Sequence, residues 1–301
     1  MTCDSVLGPN IRTRFLRAAI PPAVLALWGA ALLLALPSPA RADETPFASI
    51  YTTEVMPAGA KEIEQWATWA NRKTDESFNG LEGRTEFEYG FSDRLLGSLY
   101  LNYDYTHADP HGPNAADGPE STSRFTGYSA EFIYQFLNPV TDPIGLALYL
   151  EPSAGAGERA IETKLLLQKD FLDDRLIFAG NLNLEYVWVH DPAAGVWDQE
   201  TALEFYFGGS YRIAPGWFLG AEFLNENAYS GHIFAGAHAQ TSAFYLGPVV
   251  HYASEKWWAT LAVDSQLPWA GNPGHAPGAV IDGFVTDAER LRVRFRMGIT
   301  I

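Results

Sequence analysis

Four arginines occupy alternate positions close to the end of the 301-residue sequence: Arg290, Arg292, Arg294 and Arg296. Guanidinium groups at that spacing stand in one row along a strand, suited to pairing with carboxylates or steering charged solutes. Acids recur at matching intervals: Glu62 and Glu64, then Glu82, Glu86 and Glu88 around Arg84, and later Glu200 with Glu204 and Glu222 with Glu226. Paired carboxylates can do general acid–base work. Beside arginines in a water-filled space they more readily set a transverse field that orients polar solutes.

Two other constellations carry possible chemistry. His107, Asp109 and His111 form a His-x-Asp-x-His set, and His232 and His238 lie in a second polar stretch. Imidazole with carboxylate at this spacing is able to hold a divalent metal. The prolines and glycines around the first set mark a solvated loop, so no metal is assigned. Ser242, His251 and Ser265 have the residue types of a hydrolytic site at the rim of a barrel. No spacing links a nucleophile, a base and an orienting acid among them, so the chain is read as a non-enzyme.

The elements that position these residues are strands. After Glu289, odd positions read Leu291, Val293, Phe295, Met297, Ile299 and Ile301, while even positions carry the arginines. A two-residue period therefore gives one basic and one apolar face, where a helix would scatter the arginines around its circumference. The same alternation recurs along the chain. Leu81, Gly83, Thr85, Phe87 and Tyr89 oppose Glu82, Arg84, Glu86 and Glu88, and Tyr128, Ala130, Phe132, Tyr134 and Phe136 oppose Ser129, Glu131 and Gln135. Twelve such strands fit between residues 60 and 301, joined alternately by short turns and by longer loops, notably 107–122, 228–240 and 268–287. The expectation is an all-β fold: a closed antiparallel up-and-down transmembrane β-barrel of about 12 strands. Aromatics near the short turns (Phe91, Phe136, Phe171, Trp217) and near the long loops (Tyr103, Tyr105, Trp188, Trp197) read as two interfacial bands, which turns the apolar face outward. Closure would then bring Arg294 and Arg296 into the interior beside Glu62 and Glu64, with Glu86 and Glu88 one strand away.

Composition bounds the rest. Arg12, Arg14 and Arg17 precede an apolar run from Ala18 to Leu36, and Ala40-Arg41-Ala42 supplies small residues for cleavage. Residues 1–42 read as a signal peptide, 43–59 as a periplasmic lead-in, and 60–301 as the barrel. The single cysteine, Cys3, falls in the first segment, which excludes a disulfide framework or thiolate metal site in the mature chain. Without residues 1–42 the chain keeps 16 basic and 35 acidic residues, a net charge of −19 that argues against nucleic-acid binding.

With these strands in place, the mature length resembles the bacterial outer-membrane β-barrels. Val55-Met-Pro-Ala-Gly-Ala-Lys-Glu-Ile-Glu-Gln-Trp-Ala-Thr-Trp69 and Arg84-Thr-Glu-Phe-Glu-Tyr-Gly-Phe-Ser-Asp-Arg-Leu95 are similar to an uncharacterised family of such barrels. They are more distantly similar to barrels of meta-pathway phenol-degradation operons. The resemblance implies the bacterial outer membrane as location, outer-membrane lipid as surroundings, and the barrel-assembly machinery as a partner of the C-terminal strand. Barrels of this class usually end in an aromatic; this chain ends in Ile301. No cofactor is expected. The leading functional reading is a passive channel for a small solute, with Arg290, Arg292, Arg294, Arg296, Glu62, Glu64, Glu82, Arg84, Glu86 and Glu88 as candidate lumen lining. A plugged structural or interaction barrel working through its loops stands second, and a rim hydrolase third.

Overall fold

The computed structural model describes residues 45–73, 76–110, 118–155, 157–191 and 194–301. Residues 1–42, read as a signal peptide, lie outside the described residues. Fourteen strands follow in chain order: β1 (Lys61–Asn71), β2 (Glu76–Ser92), β3 (Leu95–Pro110), β4 (Glu120–Leu137), β5 (Gly145–Gly155), β6 (Glu158–Phe171), β7 (Leu176–Asp191), β8 (Val196–Ala214), β9 (Trp217–Ser230), β10 (His238–Ala253), β11 (Trp257–Gln266), β12 (Val280–Ile281), β13 (Phe284–Val285) and β14 (Leu291–Thr300). Twelve of them form one closed antiparallel barrel, and β12 and β13 make a small hairpin in the last loop. The sheet closes where β14 pairs with both β1 and β11, so no edge is left unpaired.

The alternation read from the sequence decides which way each side chain points. Along β1, Glu62, Glu64, Trp66, Thr68 and Ala70 are buried, and the residues between them are more exposed. The outer wall is a continuous apolar surface: Leu99 is 64% exposed, Tyr128 62%, Phe207 55% and Leu219 51%. Exposing this many large apolar side chains suits hydrocarbon, not water. Near the short turns the rings touch one another, Tyr89 on Phe91 at 5.0 Å and Tyr252 on both Trp217 (4.8 Å) and Trp257 (5.0 Å), forming an aromatic girdle.

Barrel strands run from 10 residues in β11 to 19 in β8. A tilted strand needs only about 9–11 residues to cross the hydrocarbon core, so the longer strands project beyond it on the long-loop side. In the reversal between β6 and β7, Leu172, Asp173 and Asp174 all take positive φ (59°, 54° and 57°).

One expectation is corrected here. Residues 43–59 were expected as a lead-in outside the barrel. From Thr45 onward they are instead threaded into it, with Phe47, Ala48 and Ile50 fully buried against Ile177, Phe218 and Leu224 of the inner wall. The physical reason is that a twelve-stranded barrel encloses more space than its own inward side chains fill, and this segment fills the short-turn half.

Candidate functional site

The inserted segment bends through Ala48 and Ser49, so that Thr45 Oγ1 donates to the Ile50 carbonyl at 2.9 Å, and the wall satisfies much of its backbone with side chains. The amides of Ala48 and Ser49 both donate to Glu222 Oε1 at 2.8 Å. Tyr51 makes a reciprocal pair with Asn181: its N–H donates to Oδ1 and its carbonyl accepts from Nδ2, each at 2.8 Å. Thr53 N–H donates to Gln168 Oε1 at 2.9 Å, and its carbonyl accepts from Gln135 Nε2 at 2.7 Å. Four strands, β4, β6, β7 and β9, thus supply the partners a neighbouring strand would otherwise offer. Carboxamides suit this role because each carries both a donor and an acceptor. Gly208 on β8 makes room for the apolar contacts: a Cβ there would stand 2.7 Å from both Ile50 Cδ1 and Phe47 Cε1. The segment then leaves the lumen at the short-turn rim, where Ala58 N–H donates to Asp93 Oδ1 and Gly59 N–H to the Gly90 carbonyl.

Ser49 and Tyr51 floor a polar cavity of about 720 Å³ in the long-loop half of the lumen. Its acidic side is an arc across five adjacent strands, Glu151, Glu162, Glu185, Glu204 and Glu226. Register places Glu151 opposite Glu162, Glu162 opposite Glu185, and Glu204 opposite Glu226. Like charges in such positions repel, and cations offset three of the five. Arg84 pairs with Glu151, Lys164 with Glu162 at 2.7 Å, and Arg292 with Glu226 at 2.5 Å. Glu185 and Glu204 form no ion pair among the described residues; Glu204 accepts a hydrogen bond from Asn183 Nδ2 at 3.1 Å.

The ten candidate lining residues divide by depth. Glu82, Arg84, Arg292 and Arg294 line this vestibule. Arg290, just before the closing strand, stacks on Phe284 of β13 with 3.8 Å to the ring centroid. Glu62, Glu64, Glu86, Glu88 and Arg296 lie in the short-turn half, all buried. Arg296 bonds Glu64 at 3.1 Å and stacks on Trp66 at 3.6 Å from its ring centroid. Arg294 reaches Thr68 Oγ1 (2.9 Å) and Ser49 Oγ (3.2 Å) instead of either Glu62 or Glu64. The register explains this: Arg294 is opposite Thr68, while Glu64 and Glu62 face Gly298 and Thr300. Arg292 and Arg84 find their acids across the lumen, on β9 and β5, and not on the adjoining strands.

The other sequence candidates are not gathered. Ser242 and His251 sit nine positions apart on β10, roughly 30 Å along an extended strand. Ser265 is exposed on the lipid-facing side of β11, between Leu246 and Leu291 in register. His107 Nδ1 bonds Ser121 Oγ at 2.8 Å, and His111 lies outside the described residues. His232 packs on Tyr186 and Trp188, and His238 is exposed at the start of β10.

Sequence reasoning missed Gln135, Gln168, Asn181 and Gly208 as seats for the N-terminal segment. Residues 47–55 gave no periodic signal, since apolar and polar residues fall on both parities.

Among solved structures, the fold matches the COG4313 outer membrane channel from Pseudomonas putida F1, at 12% identity and a TM-score of 0.58 over 83% of this chain and 98% of that one. The NanC porin is similar at 11% identity and a TM-score of 0.50, over 80% of this chain and 100% of the porin. Likeness at such identity concerns the fold alone, here that of outer-membrane barrels. No curated protein matches the sequence. A family model does match residues 39–300, and by it the chain belongs to the "Family of unknown function (DUF6662)".

Proposed function

We propose that the protein is an outer-membrane channel for small polar solutes, with its short-turn end in the periplasm and residues 45–57 as an internal gate. The observation that carries this reading is the polar cavity of about 720 Å³ that ends on Ser49 and Tyr51. A barrel meant only as a scaffold has no need of a charged, open vestibule above a segment held by exchangeable polar contacts. The vestibule's lining holds nine carboxylates (Glu82, Asp104, Glu151, Glu158, Glu162, Glu185, Glu204, Glu226, Glu289) against five cations (Arg84, Lys164, Arg124, Arg292, Arg294). That excess supports a preference for cationic or dipolar solutes. The resemblance of the opening strands to barrels of phenol-degradation operons adds small aromatic solutes to the classes worth assaying.

The test is conductance in planar bilayers. Wild type should dwell in a low-conductance state, and a variant lacking residues 45–56 should give a larger, steady conductance, with a reversal potential in a KCl gradient that shows cation preference. A deletion variant that inserts as a folded barrel and stays silent would overturn the reading in favour of a plugged structural barrel.

A further inference from the structure

Below the vestibule, the short-turn half of the lumen holds five buried glutamates, Glu62, Glu64, Glu86, Glu88 and Glu131. Arg296 is the only cation in an ion pair with any of them among the described residues. Their partners divide them into two kinds. Glu62 accepts from Trp258 Nε1 at 2.5 Å and from Thr300 Oγ1 at 3.3 Å. Glu64 accepts from Trp66 Nε1 at 2.8 Å and from Arg296. These two are satisfied by the wall, and Glu88 accepts from Ser98 Oγ at 3.4 Å. Glu86 differs: it is 1% exposed, and neither carboxylate oxygen has a hydrogen-bond partner. Glu131, also 1% exposed, accepts from the Tyr100 hydroxyl on Oε2, while Oε1 has no partner. An ionised carboxylate buried without a donor is among the costliest arrangements in a protein, so these oxygens call for a positive partner.

Geometry says what kind. One carboxylate oxygen from each of Glu86, Glu88 and Glu131 lies within 4.8 Å of the other two. Calcium binds oxygens at about 2.3–2.6 Å, so two ligands on opposite sides of one ion stand at most ~5 Å apart. Magnesium binds at about 2.0–2.1 Å with strict octahedral demands and gives up its waters reluctantly, so three wall carboxylates suit calcium's more flexible shell better. A separate cavity of about 50 Å³ adjoins the cluster, lined by Glu62, Glu64, Glu88, Glu131 and the already paired Arg296 from the wall and Thr45 and Glu54 from the inserted segment. That is room for a few waters to complete a coordination shell. An all-oxygen donor set selects a hard cation over zinc or copper.

We infer that Glu86, Glu88 and Glu131 form a calcium site inside the barrel, beneath the inserted N-terminal segment. The site would neutralise part of the buried acid cluster. It would also fix the floor on which Tyr51 rests, since the Tyr51 hydroxyl donates to Glu131 Oε2 at 3.4 Å. The inference stands apart from channel activity, because it needs only the folded barrel.

The experiment uses the full barrel in detergent, stripped with EGTA and titrated with CaCl2 by calorimetry. Wild type should take up about one Ca²⁺ per chain, with Mg²⁺ binding more weakly. Glu86→Gln and Glu131→Gln should weaken uptake at least about tenfold, and Glu255→Gln, in the exposed β10–β11 turn, should leave it unchanged. Heat-modifiable migration on a gel reports whether each variant is a folded barrel. Should Glu86→Gln not fold, wild type alone decides: Tb³⁺ bound at the site should luminesce on ultraviolet excitation of the surrounding aromatics, Tyr51, Tyr100 and Trp258 among them, and lose that signal to Ca²⁺. No Ca²⁺ uptake and no sensitised Tb³⁺ emission by wild type would overturn the inference, leaving protons to satisfy the cluster. Equal uptake by a folded Glu86→Gln barrel would overturn it too, by locating the calcium elsewhere.

Discussion

Asn181→Leu isolates the hold of the wall on the N-terminal segment. Asn181 is 5% exposed and makes a reciprocal pair with the Tyr51 backbone, two bonds of 2.8 Å each. Leucine is close to asparagine in size, so the substitution removes donor and acceptor without opening a cavity. Tyr51 would be left with an N–H and a C=O facing an apolar side chain. Each unsatisfied buried group costs about 1–3 kcal/mol. Because Tyr51 also borders the vestibule, water can partly satisfy it, and the lower range applies: about 2–4 kcal/mol for the two groups together. At 1.4 kcal/mol per tenfold, the ratio of released to seated segment should rise roughly 30- to 700-fold. Barrel pairing is untouched, since β7 keeps its backbone ladders to β6 and β8.

Two assays read this shift. Single-channel recording measures open dwell time directly. Labelling of an Ala48→Cys variant, at a position fully buried in the seated segment, by a membrane-impermeant maleimide measures release independently, and the only native cysteine, Cys3, lies within the expected signal peptide. Asn181→Leu in a folded barrel with neither a longer open time nor faster labelling would show that the backbone pair does not hold the segment. The loss would then have to be absorbed elsewhere, and the gating argument would fail.

Other perturbations follow from the same contacts. Gly208→Val would drive a side chain into the space of Phe47 and Ile50, whose atoms stand only 2.7 Å from where its Cβ would lie, and should raise basal conductance severalfold in bilayer recordings. Arg296→Met leaves Glu64 buried at 3% exposure without its ion pair; it should destabilise the barrel by about 3–5 kcal/mol, measured by urea unfolding from lipid vesicles. Arg292→Gln removes the cation facing Glu226 and Glu289 and should move the reversal potential of an open barrel further toward cations; no change would mean that the vestibule does not select. Asp173→Gly relieves a left-handed residue in the β6–β7 turn and should stabilise by about 1 kcal/mol in the same urea assay.

What the sequence made legible was the wall. Parity along each strand assigns its faces, because a strand's side chains alternate strictly and one face must meet lipid; Leu291 to Ile301 made that plain by placing every arginine on one side. The interior was less legible for a topological reason. Arg84 meets Glu151 and Arg292 meets Glu226 across the lumen, and partners separated by several strands are invisible until the sheet closes. The seat of the N-terminal segment was harder still. Gln135, Gln168 and Asn181 each read as an ordinary polar inward position, and only closure brings them to bear on one backbone. Residues 45–56 carry no period that sets them apart from a flexible leader.

The two halves of the lumen differ in how readily they can rearrange, and this favours a gate over a fixed core. Every barrel strand is held by backbone ladders on both sides, a cooperative unit that opens only with the whole fold. The N-terminal segment has no such ladder. Its bonds end on side chains from separate strands, each worth about 0.5–1.5 kcal/mol net and each replaceable by water from the vestibule above. Its apolar anchoring is divided between two patches, Phe47 and Ile50 against β7–β10 and Tyr51, Val55 and Met56 against Leu96, Ile133, Tyr149 and Leu166. Arg294 bridges the halves, lining the vestibule while bonding Ser49 at the tip of the segment. A solute that draws Arg294 toward itself therefore competes with a contact that keeps the segment seated, which couples occupancy of the vestibule to its release.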